Sequence, residues 1–183
     1  MPRFPMPDRL LLVGMMGVGK TTVGRLAAAR LGWEFFDSDA QVLAATGRTV
    51  PDIFAEDGEP AFRAEESRVL AEAVNGRAPA VVSVAGGAVL SEENRALLAS
   101  SGLVVWLRAE PGTLGRRVGS GAGRPLLGDD PLGSLTALYE VRRPLYASVA
   151  HLVIDVDELT PDAVVDRVLA GSGLVDAQPG AGG

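Results

Sequence analysis

The chain has 183 residues, 47% of them apolar, and a formal net charge of −6. That length supports a substantial core, and the apolar share excludes a disordered chain. An acidic balance with no basic stripe argues against a nucleic-acid partner, and the lack of cysteine excludes disulfides and thiolate metal sites, consistent with a reducing cytoplasm.

Residues 1–8 carry three prolines and no apolar stretch of the kind a signal peptide needs. An apolar run at 10–13 reads as a buried strand. Residues 14–21 follow as Gly-Met-Met-Gly-Val-Gly-Lys-Thr, and 22–31 has helical spacing with Gly32 as a stop. Further strands are predicted at 34–36, 80–84, 103–107 and 152–156, mostly unbroken apolar runs as expected for strands covered on both faces. Between them, helices are predicted at 40–46, 51–56, 60–75, 92–100, 111–118, 132–149 and 161–170, with Ser91 and Thr160 as N-caps. The alternation predicts a three-layer α/β fold, a parallel sheet with right-handed crossovers and helices on both faces. No apolar run is long enough to cross a membrane, so no membrane contact is expected. One domain is expected over residues 1–170, with a disordered Gly/Ala/Pro-rich tail at 171–183. Two stretches fit the alternation badly: a helical insertion at about 37–76 and a glycine-rich loop at about 119–130. Insertions of this kind commonly hold a substrate or close over it.

The segment Gly14 to Thr21 is a phosphate-binding P-loop, and its strand–loop–helix context is the one the motif requires. Its glycines let backbone N–H groups, those of Gly17, Val18 and Gly19 among them, turn toward phosphate oxygens. Lys20 brings a point charge to the β- and γ-phosphates, Thr21 a hydroxyl to Mg²⁺, and the helix beginning near Thr22 a positive dipole end. Asp37-Ser38-Asp39 ends the second predicted strand, where ligands of open parallel sheets gather. If the chain stays extended, alternation puts both carboxylates on one side, able to hold Mg²⁺ waters and orient a hydroxyl. Alternatively, Ser38 or Asp39 only caps the next helix. Ala85-Gly86-Gly87 ends the third strand, allowing close backbone approach to a ligand or merely a tight turn. Arg63, Arg117, Arg124 and Arg142 are the candidate anion clamps, since arginine suits bidentate carboxylate and phosphate recognition. His151 reads as structural, and Trp33 and Trp106 as core or rim.

Taken together, these motifs resemble the shikimate kinases. The resemblance rests on the P-loop, Asp37-Ser38-Asp39, Ile53-Phe54, Asp57-Gly58-Glu59, Phe62-Arg63 with Glu66, Gly86-Gly87-Ala88-Val89, Arg124-Pro125-Leu126-Leu127 and Arg142-x-Pro144-Leu145-Tyr146, in the family's order from about residue 9 to 170. It implies a P-loop kinase fold with a five-stranded parallel sheet in the order 2-3-1-4-5, a lid at the glycine-rich loop and a substrate-binding insertion. It also implies ATP and shikimate as substrates, Mg²⁺ as cofactor, and a monomer. Carried over by position, Asp39 would bind the shikimate hydroxyls and orient or deprotonate the attacking one, Arg63 and Arg142 would grip its carboxylate, and Gly86 and Gly87 would approach it. Thr21 would ligate Mg²⁺ directly and Asp37 through water. Lys20, Thr22 and Arg124 would serve the phosphates, and Arg117 would lie against the adenine.

The chain departs from the family in three places. Ala85 stands where glycine is usual, and its methyl is expected to forbid positive φ and fill space near the substrate. Ser38 stands where threonine is frequent. Residues 157–160 are acidic and apolar where the family often has a basic residue, leaving adenine contacts there to the backbone. A gluconate kinase on the same fold also remains open, because gluconate is a carboxylate too.

Overall fold

The computed structural model describes residues 7–122 and 124–174. Its centre is a five-stranded sheet of β1 (Arg9–Val13), β2 (Glu34–Asp37), β3 (Ala80–Ser83), β4 (Leu103–Arg108) and β5 (Leu152–Asp155). All neighbours are parallel and the order is β2-β3-β1-β4-β5. The unbroken apolar runs have the physical meaning expected of them: Leu10, Leu11, Leu12, Val81, Val82, Val104 and Val105 are wholly buried. Such strands have no solvent face and need helices on both sides. Those helices are α1 (Lys20–Leu31), α2 (Ser38–Thr46), α3 (Val50–Asn75), α4 (Glu92–Ser101), α5 (Pro111–Val118), α6 (Pro131–Val149) and α7 (Pro161–Ser172).

Local chemistry sets the helix starts. Ser91 and Thr160 accept from the backbone N–H groups of Asn94 and Ala163, as expected of N-caps. Thr49 and Asp52 form a reciprocal capping box that opens α3. The two helices predicted at 51–56 and 60–75 are one element with a break at Gly58, whose φ of 81° and ψ of 175° are not helical. The break explains how Pro60 is tolerated: the helix restarts at Gly58, so Pro60 falls in the first turn of the second segment. Helix α7 continues through Ser172, Gly173 caps it and Leu174 is buried, so residues 171–174 are ordered and not part of a tail. The rest of the expected disordered tail, from 175, lies outside the described residues.

Helices α2 and α3 carry a small apolar cluster of their own, Val42, Ile53, Phe62 and Val69, separate from the main core. The insertion thus packs around its own centre while its second half reaches the sheet. His151 is structural as expected: its Nδ1 accepts from the backbone N–H of the buried Val104 at 3.0 Å. Replacing His151 by Ala should lower stability by about 1–3 kcal/mol, the cost of leaving that N–H unpaired, read by urea denaturation. Trp106 is core and Trp33 packs at its margin. No helix among the described residues is long and apolar enough to cross a membrane.

Candidate active site

The carboxyl ends of β1, β2 and β3 deliver the P-loop, the acidic pair and the Ala85-Gly86-Gly87 turn to one edge of the sheet. In the P-loop, Gly14, Gly17 and Gly19 all have positive φ. At Gly17 a side chain is doubly excluded, since a Cβ would lie 2.7 Å from Val118 Cγ1. Lys20 is half-buried at the cleft floor and donates to the carbonyl oxygens of Gly14 at 2.8 Å and Met15 at 3.1 Å. Burial lowers its pKa to about 8, against the opposing pull of Asp39 and Asp37.

Asp37 and Asp39 both line the phosphate cleft, but alternation along a strand is not the reason. Strand β2 ends at Asp37 and α2 begins at Ser38, so Asp39 projects from the first helical turn. The cap is Asp37 itself, through Ala40 N–H, and neither Ser38 nor Asp39. The other oxygen of Asp37 accepts from the Thr21 hydroxyl at 2.6 Å. This brings the two expected metal-binding oxygens together. Among the described residues no cluster of three acidic, His or Cys side chains could hold a metal ion alone. One hydroxyl and one carboxylate fit Mg²⁺, which keeps most of its shell from water and phosphate oxygens. Burial pushes the Asp39 carboxyl above its ordinary range, with Lys20 opposing. The group stays accessible through the cleft mouth, so the push is smaller than full burial would give.

A second pocket adjoins the first. Phe54, Phe62, Arg63, Glu66, Gly87, Leu126 and Arg142 line it. The two pockets share Met16, Asp39, Ala85, Gly86 and Arg124. Arg63 is held on its own helix by Glu59, at 2.9 Å, and by Glu66, at 2.5 Å. Glu66 is buried, and burial raises its pKa while Arg63 opposes the rise. Neither acid was assigned a role from sequence, although the i−4 and i+3 spacing around Arg63 was visible. Arg142 comes from α6 and is 2% exposed. One turn on, the Tyr146 hydroxyl donates to the Gly86 carbonyl at 2.7 Å and fixes that turn. The Gly86 N–H makes no hydrogen bond among the described residues.

The expectation for Ala85 changes. Among the described residues no non-glycine has positive φ, and Gly86 and Gly87 do not either, so the Ala85 methyl meets no backbone strain. The glycines are needed for close approach instead: a Cβ on Gly87 would collide with the Arg63 guanidinium. Ala85→Gly should therefore leave kcat within about twofold and lower stability by about 0.4–1 kcal/mol, seen in a melting curve.

In the glycine-rich loop the N–H groups of Gly121, Arg124 and Leu127 donate to the carbonyls of Val118, Gly121 and Arg124. Within this glycine-rich stretch Leu127 is wholly buried and its carbonyl accepts from Ser134. The loop is pinned at Leu127 while Arg124, Pro125 and Leu126 line the second pocket. Arg117 donates to the carbonyls of Val18 and Val156, both at 3.2 Å. It flanks a slot formed with Gly17, Thr22, Val156, Leu159 and Pro161. Asp157 does not line this slot; its carboxylate accepts from the Glu110 N–H instead.

A parallel sheet in this order, with a P-loop, a lid arginine and a second pocket beside the phosphate cleft, defines a P-loop small-molecule kinase. The family model described as shikimate kinase matches residues 16–171. A shikimate kinase of Symbiobacterium thermophilum is 51% identical over 87% of this chain and 93% of its own. One from Ruegeria pomeroyi is 48% identical over 88% and 83%. The solved shikimate kinase of Acinetobacter baumannii, in complex with shikimate, superposes with a TM-score of 0.86 at 38% identity, covering 90% of this chain and 92% of that one. The chain belongs to the shikimate kinase family.

Proposed function

We infer that this chain transfers the γ-phosphate of ATP to the 3-hydroxyl of shikimate, giving shikimate 3-phosphate for chorismate and aromatic amino-acid biosynthesis. The observation that carries the reading is the meeting of two pockets at Asp39 and Arg124, one on the P-loop and one carrying Arg63 and Arg142. Phosphoryl transfer requires little covalent help from protein and much positioning and charge neutralisation. Arg63 and Arg142 grip the acceptor carboxylate and, with the Gly86 N–H, fix the ring. Asp39 then orients the 3-hydroxyl and takes its proton. The P-loop N–H groups from Gly17 to Thr22, Lys20 and Arg124 neutralise charge on the transferred group, and Arg117 packs against the adenine. Thr21 would hold Mg²⁺ directly and Asp37 through water; when bound, the ion neutralises β- and γ-phosphate oxygens. Leu126 and Arg124 exclude water, the competing acceptor, by covering the junction. A monomer is the proposed working unit, since every named group comes from one chain. The cytoplasm is its proposed location, where ATP is supplied.

Two expected outcomes test these roles. In Gly87→Ala the acceptor KM should rise roughly tenfold or more, about 1.4 kcal/mol, with ATP KM nearly unchanged, because Arg63 is displaced and the P-loop is not. Initial rates with each substrate varied separately measure this. The pH profile should be bell-shaped. Asp39 works as the carboxylate, and its raised pKa moves the acid limb of kcat/KM above the ordinary carboxylate range. Lys20 works as the cation, so kcat/KM for ATP should fall as pH rises through about 8. A profile flat from pH 7 to beyond 9 in these assays (roughly one unit either side of that value) contradicts the assignment of Lys20.

A further inference from the structure

Lys20 is the only lysine in the chain; the other basic side chains are sixteen arginines and His151, whose Nδ1 already accepts from the Val104 N–H, and there is no cysteine. Guanidinium groups stay protonated and are not nucleophiles. An acylating reagent therefore meets one side-chain amine, and it lies in the phosphate cleft beside Gly17, Gly19, Thr21 and Arg124. Its Nζ stands 2.8 Å and 3.1 Å from the carbonyl oxygens of Gly14 and Met15, in the wall of that cleft. A small acyl phosphate carries the group this loop is shaped to hold, with its carbonyl carbon one bridging oxygen from phosphorus.

We propose that Lys20 is a self-acylation site for small acyl phosphates. The phosphate docks on the P-loop N–H groups. The Nζ lone pair attacks the carbonyl carbon, a C–N bond forms, and the carbon–oxygen bond to phosphate breaks. Inorganic phosphate leaves with the bonding pair and the amine proton passes to it. The loop N–H groups and Arg124 neutralise the leaving phosphate as they would neutralise a departing nucleotide, and docking supplies the proximity. The product amide carries no charge and occupies the cleft, so the modified enzyme is silent. The proposal rests on the phosphate-binding reading of the loop and is independent of the acceptor.

The test treats the full chain with acetyl phosphate and follows intact mass, peptide mapping and kinase activity. The expected result is one acetyl group at Lys20, with activity falling roughly 10²-fold in the modified fraction. Saturating Mg·ATP or inorganic triphosphate should slow labelling about tenfold or more, and shikimate alone should not. Labelling of Lys20 relative to the N-terminal amine should exceed that given by acetic anhydride, which has no phosphate to dock. Lys20→Arg should retain only the N-terminal label. Labelling of the N-terminal amine but not Lys20, no protection by ATP, or a ratio equal to the anhydride's would each overturn the proposal. Protected labelling in a protein whose untreated form does not phosphorylate shikimate would sustain it while refuting the kinase reading.

Discussion

Replacing Asp39 by Asn is expected to lower kcat by roughly 10²–10⁴-fold while ATP affinity changes by no more than about twofold. Asp39 is the one carboxylate lining both pockets; Asp37 belongs to the phosphate cleft and Glu66 to the acceptor side. Asparagine keeps the shape and one carbonyl oxygen, so it can still contact a hydroxyl, but it cannot take the proton. The change sits in the first turn of α2, where losing a negative charge costs at most about 1 kcal/mol of helix-dipole stabilisation. Burial already disfavours the charged form of Asp39, which offsets part of that loss. Stability should thus be nearly unchanged, and the rate loss reports chemistry rather than unfolding. Single-turnover kinetics beside a direct nucleotide titration separates the two effects.

The second large effect sets function against stability. Arg142 is 2% exposed, its Nε has no hydrogen-bond partner, and it forms no ion pair among the described residues. A buried cation with no direct ion pair, only Glu66 within coulombic reach, is costly, and the partner proposed for it is the acceptor carboxylate. Arg142→Met keeps the aliphatic stem within α6 and removes the charge. We expect stability to hold or rise by about 0.5–2 kcal/mol, a gain of the kind seen when a functional site gives up strain. The acceptor KM should rise roughly 30-fold or more, since losing one partner of a buried charge pair costs about 2–5 kcal/mol. Thermal melts with and without shikimate measure both sides: the wild type should be stabilised by shikimate and the variant should not.

The sequence made some of this legible and hid the rest for physical reasons. Contiguous features were readable, because their jobs need fixed residue types at fixed spacing. The P-loop is one, and so are the buried strands, where a run such as Leu10-Leu11-Leu12-Val13 has no alternative to burial on both faces. Features built across the chain were not. Arg63 and Arg142 share a pocket only because α3 and α6 both reach the end of β3, and resemblance rather than spacing paired them. The acidic pair was placed beside the P-loop correctly but by a wrong route, since a cap at Asp37 ends the extended chain before Asp39. The Ala85 methyl was read through φ, and the glycines as close approach to a ligand or a tight turn; the crowding of Gly87 by Arg63 was not foreseen, because a distant side chain leaves no local signal. Leu127 was legible only as part of the Arg124-Pro125-Leu126-Leu127 motif, and only packing reveals it as the buried anchor of the glycine-rich loop.

A coupled ADP-release assay of the purified chain, with shikimate, gluconate and no acceptor in parallel, tests the central claim most directly. The account predicts ATP turnover that depends on shikimate, with gluconate and the acceptor-free control lower by roughly 10²-fold or more in kcat/KM, because a site built around specific polar groups rejects an ill-fitting acceptor strongly. Equal ATP turnover without shikimate, or with gluconate in its place, would contradict it.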